Sequence, residues 1–215
     1  MDNFVVTIDG PAGAGKSSVA RRVAESLGAF YLDTGAMYRS VGLLAARDGR
    51  DPVDVARSLH FEIIFSETGE KRIMADGEDV TLKIRTPEAD KEVSRVAAVR
   101  DVRRHLIEKQ RLFARDRSIV LEGRDTGSVV FPHARYKFYL DASVEERARR
   151  RYDQLAQKSV PPSLEEIKTD IIRRDTADRN RPWGALRIPE GACVIDTTNL
   201  SLEEVVDEIL SHIKT

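Results

Sequence analysis

Short runs of apolar, often β-branched residues alternate along this chain with segments of helical period. FVVTI at 4–8 predicts a buried strand. Residues 16–28 predict a helix: Val19, Val23 and Leu27 share one face, Arg21, Arg22 and Glu25 another, and Gly28 is the stop. AFYLD at 29–33 predicts a second strand, 35–49 a second helix, and 51–60 a third with Pro52 in its first turn. From 60 to 85 apolar and polar residues alternate, punctuated by ETGE and ADGED, which predicts a small antiparallel meander of two or three strands. Residues 86–99 and 100–116 return to helical period. SIVLEG and YKFYLDA (136–142) predict strands. Residues 143–158 and 163–181 predict helices, each opened by the Ser-x-x-Glu pattern of a capping box, with SVPPS as the break between them. ACVIDTTN predicts the last strand and SLEEVVDEILSHIK the last helix.

Strands that read as continuous apolar runs and alternate with helices build a parallel sheet covered on both faces. The expected fold class is therefore α/β. In such sheets ligands bind outside the carboxyl ends of the strands. Asp9, Asp33, Glu122 with Asp125, Asp141 and Asp196 all fall at strand ends and are expected along one edge.

Composition narrows this picture in a few places. The 215 residues suffice for one domain with a full core and inserted subdomains. A third of them are charged, yet the formal net charge is −1, which argues against a general nucleic-acid or membrane surface. Arginines cluster at 95–117, 147–151 and 173–187, a pattern that local anion sites and solvated helix faces produce alike. The single cysteine, Cys193, excludes a disulfide framework and a cysteine-based zinc site, and its neighbours read as core. His60, His105, His133 and His212 sit in unrelated contexts and read as structural. No apolar run is long enough to span a bilayer and no basic-then-apolar leader precedes the first strand, so a cytoplasmic protein is expected.

The chemistry starts at GPAGAGKS, a G-x-x-x-x-G-K-S motif that follows a predicted strand and opens a predicted helix. In that context the glycines let successive N–H groups turn toward phosphate oxygens, and the helix N-terminus adds its positive end. The expected ATP-binding set is Gly10, Pro11, Ala12, Gly13, Ala14, Gly15, Lys16, Ser17 and Ser18. Lys16 should reach the β- and γ-phosphates, and the Ser17 hydroxyl should hold Mg²⁺. The motif fits both a kinase and a nucleotide-driven switch. The D-x-x-G and N-K-x-D signatures of a GTPase switch occur nowhere in the chain, which favours the kinase. A kinase with a monophosphate acceptor needs arginines opposite the donor loop and no general base, since a phosphate monoester with a second pKa of about 6 is already largely dianionic at neutral pH.

TIDGPAGAGKSSVARRVAESLG, YLDTGAMYRS, GRDTGSVVFP, KFYLDASVEERARRR and RDTADRNRP resemble, in order and along nearly the whole chain, bacterial-type cytidylate kinases of the nucleoside monophosphate kinase family. The resemblance implies a P-loop NTPase-type sheet with a small antiparallel β-containing insert and a helical lid. It implies a core at 1–33, 100–148 and 186–215, a monophosphate-binding domain at 34–99 with its β insert at 60–85, and a lid at 149–185. It implies transfer of the γ-phosphate of ATP to CMP or dCMP with Mg²⁺, by a protein without nucleic-acid or membrane partners, expected as a monomer.

Residue roles follow from the same resemblance. Thr34, Tyr38, Arg39, Ser94, Arg103, Arg124, Asp125, Asp178 and Arg181 would bind CMP, with Arg39 and Arg124 on its phosphate and Asp178 at its ribose. Asp125 would accept from the cytosine amine, the pairing that base-edge chemistry expects of an acid. Lys16, Arg124, Arg174 and Arg181 would carry catalysis. Glu122 stands where many members have aspartate and would face Mg²⁺, while Thr34 replaces a serine and keeps the hydroxyl. Without the resemblance, Arg103 would read as part of a solvated helix face, and Asp178 with Arg181 as a simple salt bridge near a helix end. Arg147, Arg150 and Arg151 are candidates for ATP contact or for a solvated helix face.

Overall fold

The computed structural model describes residues 3–65, 71–157 and 162–213. They form two compact units, one spanning Met1–Leu32 with Phe113–Thr215 and the other Asp33–Leu112.

The first unit is built on the strands β1 (Val5–Asp9), β2 (Phe30–Asp33), β6 (Ile119–Gly123), β7 (Tyr136–Asp141) and β8 (Cys193–Asp196), ordered β2-β6-β1-β7-β8 in one sheet. β1 pairs in parallel with β6 and β7, and β7 in parallel with β8. The register puts Asp9 beside Gly123 and Tyr139, and Asp141 beside Asp196, so the acidic strand ends lie along one edge as the apolar runs implied. Helix α1 (Lys16–Leu27) packs on β1, β6 and the last helix, α8 (Leu202–His212). Their shared core contains Val6, Ile8, Val19, Val23, Val120, Phe138, Leu140, Val206 and Ile209, all buried. Cys193 lies half-buried at the margin of this core, its Sγ 3.7 Å from His212 Nε2, so it is not the fully enclosed residue its neighbours suggested.

Helices α6 (Val144–Ala156) and α7 (Leu164–Arg179) pack on each other through Ala148, Ile167 and Ile171. The Ser-x-x-Glu pattern closes a full capping box at α7, and a further one caps α8 through Ser201 and Glu204. At α6 only half of it forms. The Ser143 hydroxyl accepts from Glu146 N, but the Glu146 carboxylate turns to Arg149 and Arg150, because charge-assisted bonds to guanidinium compete with the single backbone N–H. The break at SVPPS falls mostly outside the described residues. The chain after β6 forms a five-residue π-turn, Thr126–Val130, which no periodicity announced.

In the second unit, α2 (Thr34–Asp48), α3 (Pro52–Ser58), α4 (Pro87–Ala98) and α5 (Arg100–Phe113) accompany the antiparallel strands β3 (Phe61–Phe65), β4 (Lys71–Ala75) and β5 (Glu78–Asp79). The meander is therefore three-stranded. Its β4–β5 turn places Asp76 and Gly77 at positive φ, 49° and 81°, the twist that an Asp-Gly hairpin supplies. The ETGE punctuation lies outside the described residues.

Ile8 is fully buried on the central strand. Ile8→Ala should lower unfolding free energy by about 2–5 kcal/mol, the range for a cavity in a core that relaxes only partly, measured by denaturant titration.

Candidate active site

β1 ends at Asp9 and the chain turns at once into the glycine-rich loop. The turn depends on close approach: a Cβ on Gly10 would lie 2.0 Å from the Leu140 carbonyl oxygen of β7, and φ there is +151°. At Gly13, φ is +82° and a Cβ would meet the Arg147 Cβ at 3.0 Å, so the loop lies directly against α6. The loop then opens α1, whose N-terminus has no side-chain cap and no acidic residue in its first turn. An uncapped helix N-terminus leaves donors and positive potential for an anion.

Lys16 is buried, and its Nζ donates to the Pro11 carbonyl at 2.6 Å. Burial, reinforced by the nearby Arg124 charge, pushes its pKa down to about 7. The Ser17 hydroxyl donates to Glu122 Oε1 at 2.5 Å, so the loop serine and the end of β6 share one polar contact. Arg124 Nε donates to Asp178 Oδ2 at 2.9 Å, and Arg181 donates to the other oxygen of the same carboxylate. Burial works against the Asp178 charge, but Arg124 and Arg181 outweigh it and hold the carboxyl below its ordinary range. Arg174 lies half-buried on α7 and adds to that field. Asp125 is buried beside Arg124 in sequence, and its carbonyl accepts from Val129 and Val130 as the π-turn closes. The structure thus brings Lys16, Ser17, Glu122, Arg124, Asp178 and Arg181 together. The salt bridge between Asp178 and Arg181 that the helix-end reading suggested does form, and it extends to Arg124.

In the second unit, Thr34 and Tyr38 are buried on α2, and Arg39 is half-buried on the same helix. Asp33 caps α2 by accepting from Ala36 N at 2.9 Å. Ser94 is half-buried on α4. Arg103 corrects the solvated-face reading: it is 2% exposed, its guanidinium lies 5.5 Å from the centre of the Tyr38 ring, and it donates to the Ala97 carbonyl at 3.4 Å. Helical period alone placed it among charges, yet α5 buries it with Val102, Leu106 and Ile107.

Two groups were not singled out by motif. The Asp9 carboxylate is fully buried and accepts from Thr126 N, Thr126 Oγ1 and Gly127 N at 2.9, 2.8 and 2.7 Å. It thereby ties the loop after β6 to the start of the phosphate loop. The signal for it was an acid ending a strand that is otherwise apolar. The second group is Thr197, whose hydroxyl donates to the Asp141 carbonyl at 3.0 Å and whose oxygens accept from Arg150. Arg147 and Arg150 are committed to partners within the protein, and Arg151 pairs with Gln154.

The sequence family model described as cytidylate kinase matches residues 6–215 of this chain. The chain belongs to the cytidylate kinase family. It is 46% identical to a cytidylate kinase of Caldanaerobacter subterraneus subsp. tengcongensis, over 97% of this chain and 94% of that protein. It is 47% identical to one of Symbiobacterium thermophilum, over 97% and 95%. Among solved structures, an uncharacterized protein from Eubacterium ventriosum shares the fold with a TM-score of 0.54 and 13% identity, covering 99% of this chain and 98% of that one. As a member of the cytidylate kinase family the chain is an ATP-dependent nucleoside monophosphate kinase. Among the described residues no helix is long and apolar enough to cross a membrane.

Burial raises the Asp9 pKa from 3.8 to about 6, against the pull of its hydrogen bonds to Gly127 and Thr126. A carboxyl whose folded pKa lies above its unfolded value contributes most stability below the unfolded value and loses it as pH rises through the folded one. The stability difference between wild type and Asp9→Asn should therefore shift in favour of wild type by about 2–3 kcal/mol as pH falls from 8 to 4, read by denaturant titration of both proteins.

Proposed function

We propose that this kinase transfers the γ-phosphate of ATP to CMP or dCMP, giving ADP and CDP or dCDP, by in-line transfer without a general base. One observation carries the reading. At the carboxyl end of β6, a half-buried arginine and a buried carboxylate, Arg124 and Asp125, follow Gly123, which sits in register with Asp9 at the threshold of the phosphate loop. A cation suited to a phosphate and an acid suited to reading a base thus stand just past the strand next to the donor loop.

The donor triphosphate would lie over the loop from Gly10 to Ser18, with Lys16 neutralising its outer phosphates. The negative charge of the triphosphate would favour the protonated form of Lys16, offsetting the burial that lowers its pKa. Ser17 and Glu122 form a hard-oxygen pair of the kind Mg²⁺ takes. When bound, the ion offsets charge on the transferring phosphoryl group. Arg124 would grip the acceptor phosphate by its planar fork, giving up Asp178 to do so, while Arg174 and Arg181 close around the transferred group. In the second unit, Arg39 is assigned to the acceptor phosphate, and Thr34, Tyr38, Ser94 and Arg103 to the nucleoside. Asp178 is assigned to the ribose. Segment 149–185 is assigned the role of a lid that keeps water from the reaction. The acceptor arrives as a phosphate dianion, so positioning and charge stabilisation suffice.

A coupled ADP-release assay across CMP, dCMP, UMP, AMP, GMP and no acceptor tests this. Release with CMP and dCMP alone is expected; equal release without acceptor would point to a nucleotide-driven switch instead. Uracil places a carbonyl where cytosine offers an amine, so Asp125 faces an acceptor with no proton between them. Asp125→Ala should lower kcat/KM for CMP by about 10²-fold or more and narrow the CMP/UMP ratio. Wild-type turnover and preference in that variant would remove Asp125 from base recognition. Arg181→Ala should lower kcat more than it raises the KM for ATP, measured by the same assay.

A further inference from the structure

The Ala12 peptide of the phosphate loop is held by a buried ion pair that no nucleotide motif contains. Arg147 on α6 is 2% exposed and Asp175 on α7 is 4% exposed. Arg147 Nη1 donates to Asp175 Oδ2 at 2.6 Å and to the Ala12 carbonyl at 3.0 Å. Asp175 Oδ1 accepts from Ala12 N at 3.3 Å. One residue of the loop therefore has both backbone polar groups bound to one side-chain pair. Arg147 is itself fixed, since its Nε donates to the Ala142 carbonyl at 3.0 Å. The loop lies flush on this support because Gly13 has no Cβ: one added there would meet Arg147 Cβ at 3.0 Å and the Arg147 carbonyl oxygen at 3.2 Å.

We propose that Arg147 and Asp175 are positioning residues for ATP, a pair that sets the outer rim of the phosphate loop so that the N–H groups after it face the phosphates. Three considerations support a role in placement. A buried ion pair adds little net stability over an apolar pair of the same size, because desolvation offsets the attraction. It does supply direction, since a guanidinium fork and a carboxylate fix the angles of what they touch. And a phosphate cradle of backbone N–H groups works only in one loop conformation, where small displacements are costly. Arg147 thus serves the donor from behind the loop and needs no contact with ATP, and being buried it is not the solvated face that its cluster equally allowed. The inference rests on the reading of this loop as the ATP site.

The test is direct ATP binding by titration calorimetry on the full chain, with CMP-dependent ADP release in parallel. Asp175→Asn should weaken ATP binding about tenfold or more, while the KM for CMP changes less than about threefold. Arg147→Lys keeps the charge and loses the fork, and should weaken ATP binding by about threefold or more. The double variant R147M/D175N should bind ATP no more weakly than D175N alone, because the two side chains act as one unit. Arg149→Ala, on the exposed face of α6, should match wild type. Unchanged ATP affinity in D175N and R147K, with only the melting temperature lowered, would overturn the proposal and leave the pair a structural one. If Asp175→Asn does not fold, the Arg147→Lys affinity decides. Since ATP binding is read without turnover, failure of CMP as an acceptor would strike the acceptor assignment and not this one.

Discussion

The parallel placement of β1 between β6 and β7 is the constraint from which the first unit follows. Parallel strands end together, so the turn after β1 and the turn after β6 must share one edge of the sheet. The glycine-rich loop then has little room. It passes within the reach of the β7 backbone at Gly10, where no side chain fits. The fully buried Asp9 carboxylate closes this arrangement by accepting three hydrogen bonds from the turn after β6. Moving either turn would strand that carboxylate without donors in a place where water does not reach it, which is costly.

Around this edge the polar and charged groups are paired with one another. Lys16 leans on the Pro11 carbonyl, Ser17 on Glu122, and Arg124 and Arg181 share Asp178. Each pair satisfies polar groups that burial would otherwise leave without partners. Under the proposed function, ligand binding would be an exchange of partners between groups that are already oriented, which limits the reorganisation required. Helix α7 has a double part in this, because it sends Asp175 to the phosphate loop and Asp178, one turn further on, to Arg124.

The arginine clusters show why residue type and helical period say so little about a cation's task. Arg147, Arg149, Arg150 and Arg151 are neighbours on α6. Arg149 lies in an exposed ion-pair array, Arg150 binds Thr197, Arg151 meets Gln154, and Arg147 is buried under the phosphate loop. On α5, Arg103 is the buried one, stacked on Tyr38, among exposed Arg100 and Arg104. Which face of such a helix is covered depends on residues far away in the chain.

The sequence by itself determined the element order, the parallel sheet, the existence of a small antiparallel meander and the phosphate loop. These are set by local physics: apolar runs, a glycine pattern that only one kind of turn uses, capping residues and an Asp-Gly hairpin. Its motifs also carried the family, because DTGAMYR, GRDTG and DRNR are specific in combination. The tertiary structure alone decided that Asp9 is a buried anchor, that the turn after β6 is a π-turn, that Arg103 is enclosed and that Arg147 meets Asp175. Those outcomes depend on burial and on partners separated by as many as 163 positions, as between Ala12 and Asp175. No local pattern encodes a desolvation cost, and that cost is what fixes where a buried charge must find its partner.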